Sequence, residues 1–303
     1  MPPKPIALPP LLQRRVERFA ADLYAGPGVP PFDFAAPPVE PALVPPDSIS
    51  WRVFANPLTL FIGGVAAVLL ELGEPRVRHG VWDHSGFRSD PVMRLRRTGL
   101  AAMVTVYGPQ SRARAMIDGV NRLHARVSGL TADGAPYRAD DPELLDWVQA
   151  TASWGFLEAF CAYDTPLGDA ERDSFYAEAA PAAALYGAAG APRSQAEVDV
   201  LFTRIAPALE ASGTLTEFLA IMRRAPILPA VARPLQRLLV AAAIALIPAP
   251  LAGRLGLGPG LKPWQRPAVA ALARLAGRLP LAGAPPAQAS LRLGLEPDFL
   301  YRR

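Results

Sequence analysis

Three times in this chain a capping side chain is followed at once by proline: Asn56-Pro57, Asp90-Pro91 and Asp141-Pro142. Proline holds φ near the helical value and has no N–H to leave unsatisfied, so it suits the first helical position. The short Asn or Asp side chain before it accepts from the free amides of the first turn. Each pair opens a long segment in which apolar residues recur at helical spacing: Pro57 to about Gly73, Val92–Tyr107, and Pro142 to Tyr163. No stretch alternates convincingly between apolar and polar residues, and no repeat of fixed period is found. The sequence therefore predicts an all-α fold, one large helical domain of roughly ten helices.

Further helix starts are readable. Ser111 precedes a helix that Gly129 should end, and Asp169 opens one that Pro181 should bend or break. Ser194-x-x-Glu197 and Thr214-x-x-Glu217 both have the form of a capping box. Pro234–Ile247 and Trp264–Leu279 are helices rich in alanine and leucine. The stretch EPRVRHGVWDHSGFRSDP, between the first two long helices, reads as a loop dense in polar and aromatic residues. Thirteen of the 35 prolines fall in the first 50 residues, so that region reads as an arm. It carries one amphipathic helix (Leu12, Val16, Phe19, Leu23), then an extended run, VPPFDFAAPPVEPALVPPDS. The expected organisation is an arm over 1–50, a helical domain over 51–283 and a tail over 284–303.

Several functions are disfavoured at once. The net charge is only +4 and the arginines are scattered among acids, so no concentrated basic face suggests a nucleic-acid partner. Cys161 is the only cysteine, which rules out a disulfide framework or a thiolate metal cluster. No glycine-rich phosphate loop, His-Glu-x-x-His or Gly-x-Ser-x-Gly is present. The most apolar stretches, Leu58–Leu72 and Leu238–Ala252, are too short to span a bilayer. A cytoplasmic protein is expected, with peripheral membrane contact left open.

Three histidines remain as candidates for chemistry: His79, His84 and His124. At 100° per residue, Met116, Ile117, Val120, Leu123 and Val127 fall on one stripe, and His124 lies inside it. A neutral imidazole can rest in a core if its nitrogens find partners; alternatively it supplies the axial nitrogen of a haem iron in an apolar slot. On the preceding helix Arg94, Arg97 and Thr98 stand at i, i+3 and i+4 and share one face. They suit an anionic partner or a polar pocket over a metal, or simply a solvated helix end. His84, beside Ser85 and near Asp83 and Arg88, is either a second polar wall of that pocket or part of a turn. Glu71 and Glu74 end the apolar helix; a buried acid there could act as a base, though exposed acids are commoner at helix ends.

Taken in order, GEPRVRHGVWDHSGFRSDPVMRLRRTGLAAMVTVYG, NRLHARVSG and YRADDPELLDWVQATASWGFLEAF resemble the family of mpaB-type oxygenases and rubber oxygenases (latex-clearing proteins). The resemblance spans roughly Leu58 to Ala211 and continues faintly to about Leu279. It implies an all-α domain with haem b in its core, His124 as the proximal iron ligand, and Arg94 and Thr98 in the haem-pocket motif. Arg97 falls where the rubber oxygenases have a lysine that can reach the iron. A guanidinium keeps its proton and offers no lone pair, so a lysine-ligated closed state is not expected. His84 matches a histidine of the bacterial relatives, and Glu74-Pro75 stands where many have His-Pro. The implied function is a haem-dependent oxygenase acting with dioxygen on an apolar organic substrate. In it Arg94 and Arg97 would supply positive charge, with Thr98 hydrogen-bonding nearby and His84 completing a polar wall. The alternative is a helical ligand-binding or scaffold protein that keeps the fold without redox chemistry.

Overall fold

The computed structural model describes residues 5–6, 8–9, 11, 13–18 and 28–301. The first helices in chain order are α1 (Ile49–Phe54), α2 (Pro57–Glu71), α3 (Pro75–Trp82), α4 (Pro91–Tyr107) and α5 (Gln110–His124). A two-stranded antiparallel hairpin follows, β1 (Ser128–Leu130) with β2 (Pro136–Arg138), Gly129 opposite Tyr137. Then come α6 (Pro142–Tyr163), α7 (Asp169–Leu185), α8 (Gln195–Ile205) and α9 (Gly213–Arg224). The chain ends with α10 (Arg233–Leu246), α11 (Ala249–Arg254), α12 (Arg266–Ala276) and α13 (Pro285–Arg292). The protein is thus all-α apart from one small hairpin, with more helices among the described residues than the ten expected. Of the predicted amphipathic helix, Leu12, Phe19 and Leu23 lie outside the described residues, while 13–18 are helical.

The three cap-proline pairs do what their chemistry dictates. Asn56 Oδ1 accepts from the amides of Leu58 and Thr59, Asp90 from Met93, and Asp141 from Glu143. Asn56 also donates to Asp164 (2.7 Å) and to the Ala273 carbonyl (2.9 Å), tying the start of α2 to the ends of α6 and α12. α2 and α6 form the centre of the fold. They touch backbone to backbone where Gly63 meets Gly155; a methyl group on Gly63 would sit 2.5 Å from the Gly155 carbonyl oxygen. Around this pair Trp51, Ile62, Leu69, Tyr107, Trp147 and Phe218 are fully enclosed, in one core continuous along the chain.

Several expectations are corrected. The expected loop after α2 contains α3, whose N-cap is Glu74: its carboxylate accepts from the Val77 amide at 2.8 Å and pairs with Arg76 at 2.7 Å. The helix expected to run to Gly129 stops at His124, and Gly129 lies in β1. Leu123, assigned to its apolar stripe, is 63% exposed. That residue lies at the stripe's edge, 100° from His124, and no further turn follows to cover it. Pro181 does not break α7, which continues through it to Leu185. Ser212, not Thr214, caps α9; it accepts from the Leu215 amide, and Glu217 pairs instead with Arg88. The Ser194 box holds in part, since Glu197 reaches back to the Arg193 amide rather than to Ser194.

Residues 28–48, expected to be extended, instead pass over this body largely in turns and bends and insert Val29, Phe34 and Val44 into the core. Arg292 on α13 is buried and donates to the carbonyls of Phe34 (2.6 Å) and Glu40 (2.8 Å). The Glu40 carboxylate in turn accepts from the Ser111 amide and hydroxyl, capping α5 from outside its own helix. Among the described residues no single helix is long and apolar enough to cross a membrane.

Candidate active site

α4 enters the site with its first turns. Thr98 Oγ1 donates to the Arg94 carbonyl one turn back at 2.9 Å and accepts from Arg94 Nη1, so the two side chains act as one unit. Thr98 is exposed and Arg94 half-buried. Burial lowers the pKa of the Arg94 guanidinium, with Arg97 adding repulsion, while the charge of Glu71 opposes both. Arg94 and Glu71 are therefore electrostatic neighbours, although no salt bridge closes between them among the described residues.

Glu71 is the last residue of α2. Desolvation is the leading influence on its carboxyl and pushes the pKa to about 7; Arg94 and a long contact from the Thr151 hydroxyl (3.4 Å) pull the other way. A carboxyl with that value is near half-protonated at neutral pH, so it can give or take a proton. The sequence signal for it was the single acid ending an otherwise apolar helix. That signal could not say which way the side chain points.

His124, the last residue of α5, completes the group. Its Nδ1 is buried and has no hydrogen-bond partner, and among the described residues the ring makes no hydrogen bond at all. Burial lowers its pKa first, the Arg94 charge lowers it further, and Asp140 opposes them. The imidazole is therefore held neutral. Its electrostatic coupling to Arg94, and that of Arg94 to Glu71, brings together residues from α2, α4 and α5.

The other two candidates stand on different contacts. Arg97 is exposed, and its Nε and Nη2 both donate to the Gly28 carbonyl, at 3.1 and 2.8 Å. Gly28 has φ +79°, and a side chain there would collide with Met93, so the arm approaches α4 as closely as a glycine permits. His84 Nε2 hydrogen-bonds the Tyr137 hydroxyl at 2.9 Å, and Tyr137 lies stacked against His79. His79 is paired with Asp83 at 2.8 Å. This cluster ties α3 to the hairpin.

A neutral imidazole with an orphaned buried nitrogen fits the role of a metal ligand, because a ligand must offer its lone pair unprotonated. A bare ion would need three or four protein donors, and among the described residues no three His, Cys, Asp or Glu side chains gather to supply them. One imidazole suffices where the metal brings its own equatorial ligands, as in a porphyrin. The Arg94–Thr98 pair offers a cation and a hydroxyl to an anionic or oxygen-bearing group beside it. The residues present therefore fit haem.

The site thus gathers, among the described residues, a neutral histidine whose Nδ1 has no hydrogen-bond partner, a half-buried arginine and a carboxyl that can exchange a proton near neutral pH. The chain belongs to the family described as ER-bound oxygenase mpaB/B'/rubber oxygenase, catalytic domain, whose model matches residues 51–278. The matched region is the one this family describes as its oxygenase catalytic domain. Two curated relatives are an uncharacterized protein of Mycobacterium bovis, Mb2261, and one of Mycobacterium tuberculosis, Rv2237. Each is 33% identical over 119 residues, which is 38% of this chain and 46% of the relative. The chain thus spans less than half the length of these relatives. No solved structure matches it significantly.

Proposed function

We propose that the protein is a haem b-dependent oxygenase that uses dioxygen on an apolar organic substrate, with His124 as the iron's protein ligand. The observation that carries this reading is the His124 imidazole itself: neutral, buried at Nδ1 and without a partner, at the end of an oxygenase-family helix. When bound, the cofactor supplies the binding and activation of dioxygen.

The chain's own residues account for the rest. Arg94 presents a half-buried positive charge that suits a carboxylate of the cofactor or negative charge developing on oxygen. Thr98 fixes Arg94 by accepting from it and keeps it aimed. Glu71, near half-protonated at neutral pH, holds a proton beside them and can exchange it with substrate or solvent. Arg97 anchors the arm through the Gly28 carbonyl and adds its charge to the same end of α4. His84 and Tyr137 position the wall between α3 and the hairpin.

Expression of the full chain with iron and haem precursors tests the reading. A strong Soret band is expected, and His124→Ala should lose most of it while keeping the wild-type helical circular dichroism. Wild-type protein purified colourless under those conditions would overturn the proposal.

A further inference from the structure

We propose that the protein carries a second ligand site, a cavity lined from α1, α2, α4 and α10 that takes the hydrocarbon chain of a fatty carboxylate. The cavity has a volume of about 250 Å³, and none of its sixteen lining residues has a polar side chain. Phe54 and Phe61 close it from α1 and α2, Met103 from α4, Leu239 from α10, and Leu279 and Leu281 from the segment after α12.

Its place separates it from the candidate active site. Met103 lies nine residues beyond Arg94 on α4, about 14 Å along the axis and half a turn round, so it faces away from Arg94 and Thr98. Nothing in the argument depends on what His124 holds. An apolar cavity of this size stays dry and gains by taking an apolar guest. At roughly 30 Å³ per methylene, close to a water's share of liquid volume, it holds about eight carbons.

Two features choose a carboxylate-headed chain. Residues 221–301, which supply most of the wall, contain ten Lys and Arg against two Asp and Glu, and Arg278 stands between lining Ala276 and Leu279, so the surroundings favour an anionic head. Near the walls, Leu275 is exposed one residue before a lining alanine, and Val231 is 92% exposed three residues after lining Leu228. Both offer apolar surface that an entering chain can touch on the way in.

Titration calorimetry of the purified full chain with straight-chain carboxylates from hexanoate to dodecanoate, below their micelle concentrations, tests this. The Kd should fall about fourfold per added methylene up to eight to ten carbons and then level off. Ala276→Phe and Ala284→Phe fill the cavity from two different walls. Each should weaken decanoate binding at least tenfold with unchanged circular dichroism. A diazirine-bearing decanoate should label peptides containing Met103 or Leu279, in whichever variant folds and in the wild type. Absence of saturable binding, binding without chain-length dependence, or labelling confined to the His124 peptide would overturn the proposal.

Discussion

Glu71→Gln is the sharpest probe of the site's electrostatics. The carboxyl titrates near 4.5 in an unfolded chain and near 7 in the fold. Below pH 4.5 both states hold the proton and the residue costs nothing. Between 4.5 and 7 the unfolded chain releases its proton first, so stability falls as pH rises, and above 7 the loss is complete. A raised carboxyl thus stabilises the fold on the acid side, the reverse of the usual salt-bridged acid. At about 1.4 kcal/mol per pKa unit the full swing is about 3 kcal/mol, an upper bound because Glu71 is half-buried rather than sealed. For a chain of this size that equals roughly 6 °C in Tm. Glutamine keeps the shape and removes the titration. Thermal melts of wild type and Glu71→Gln at each pH from 3.5 to 8.5 cancel the contributions of other groups, His124 included. The two should run together below about pH 4, draw apart between 4.5 and 7 with half the difference present near pH 6, and stay apart above 7, the variant being more stable at pH 8.5. Arg94→Gln removes the cation that holds the Glu71 value down, so the midpoint should move upward in that background. Parallel melting curves across the range, or a midpoint that moves down without Arg94, would refute the assignment.

Other consequences of the packing can be checked separately. Gly63→Ala places a methyl group against the Gly155 carbonyl and must part α2 from α6, costing about 3 kcal/mol in denaturant unfolding. Asn56→Ala removes a cap and leaves Asp164, whose pKa burial already raises, without its nearest donor; a loss of about 3 kcal/mol is expected. Arg97→Ala releases the Gly28 carbonyl at an exposed position, so stability should change by no more than about 1 kcal/mol. Limited proteolysis before Val29 should nevertheless quicken.

What the sequence revealed followed from local chemistry. Asn56, Asp90 and Asp141 act within three residues of themselves, so their helices could be placed before any packing was known. Glu74 does the same at α3 but was missed. A long carboxylate is a less usual cap than Asn or Asp, and the run after it is too polar to look like a buried helix. Arg94 and Thr98 were legible as a pair because one turn separates them. His124 stood out because an imidazole in an apolar stripe needs a reason. The link from Arg94 to Glu71 was not legible, since 22 residues and the helix α3 intervene and only the fold brings the charges together. Nor was the task of Arg97, whose partner is a backbone carbonyl in the arm and leaves no mark in the side-chain pattern.

These contacts divide the start of α4 into two arginines with different work. Arg94 turns inward, where burial and the Glu71 carboxyl set its balance; Arg97 turns outward and holds Gly28 with two donors of one planar fork. A lysine at 97 could offer that carbonyl only one N–H direction at a time, and once buried it could shed its proton. Arginine fixes both the charge and the grip. The charges that reach His124 are those of Arg94 and Asp140, while Glu71 acts on Arg94. Any anion that settles on Arg94 would screen the cation that helps Glu71 ionise, so loading the site favours the protonated acid. The protonation of Glu71 would then follow the occupancy of Arg94 through two side chains, with no movement of the backbone required.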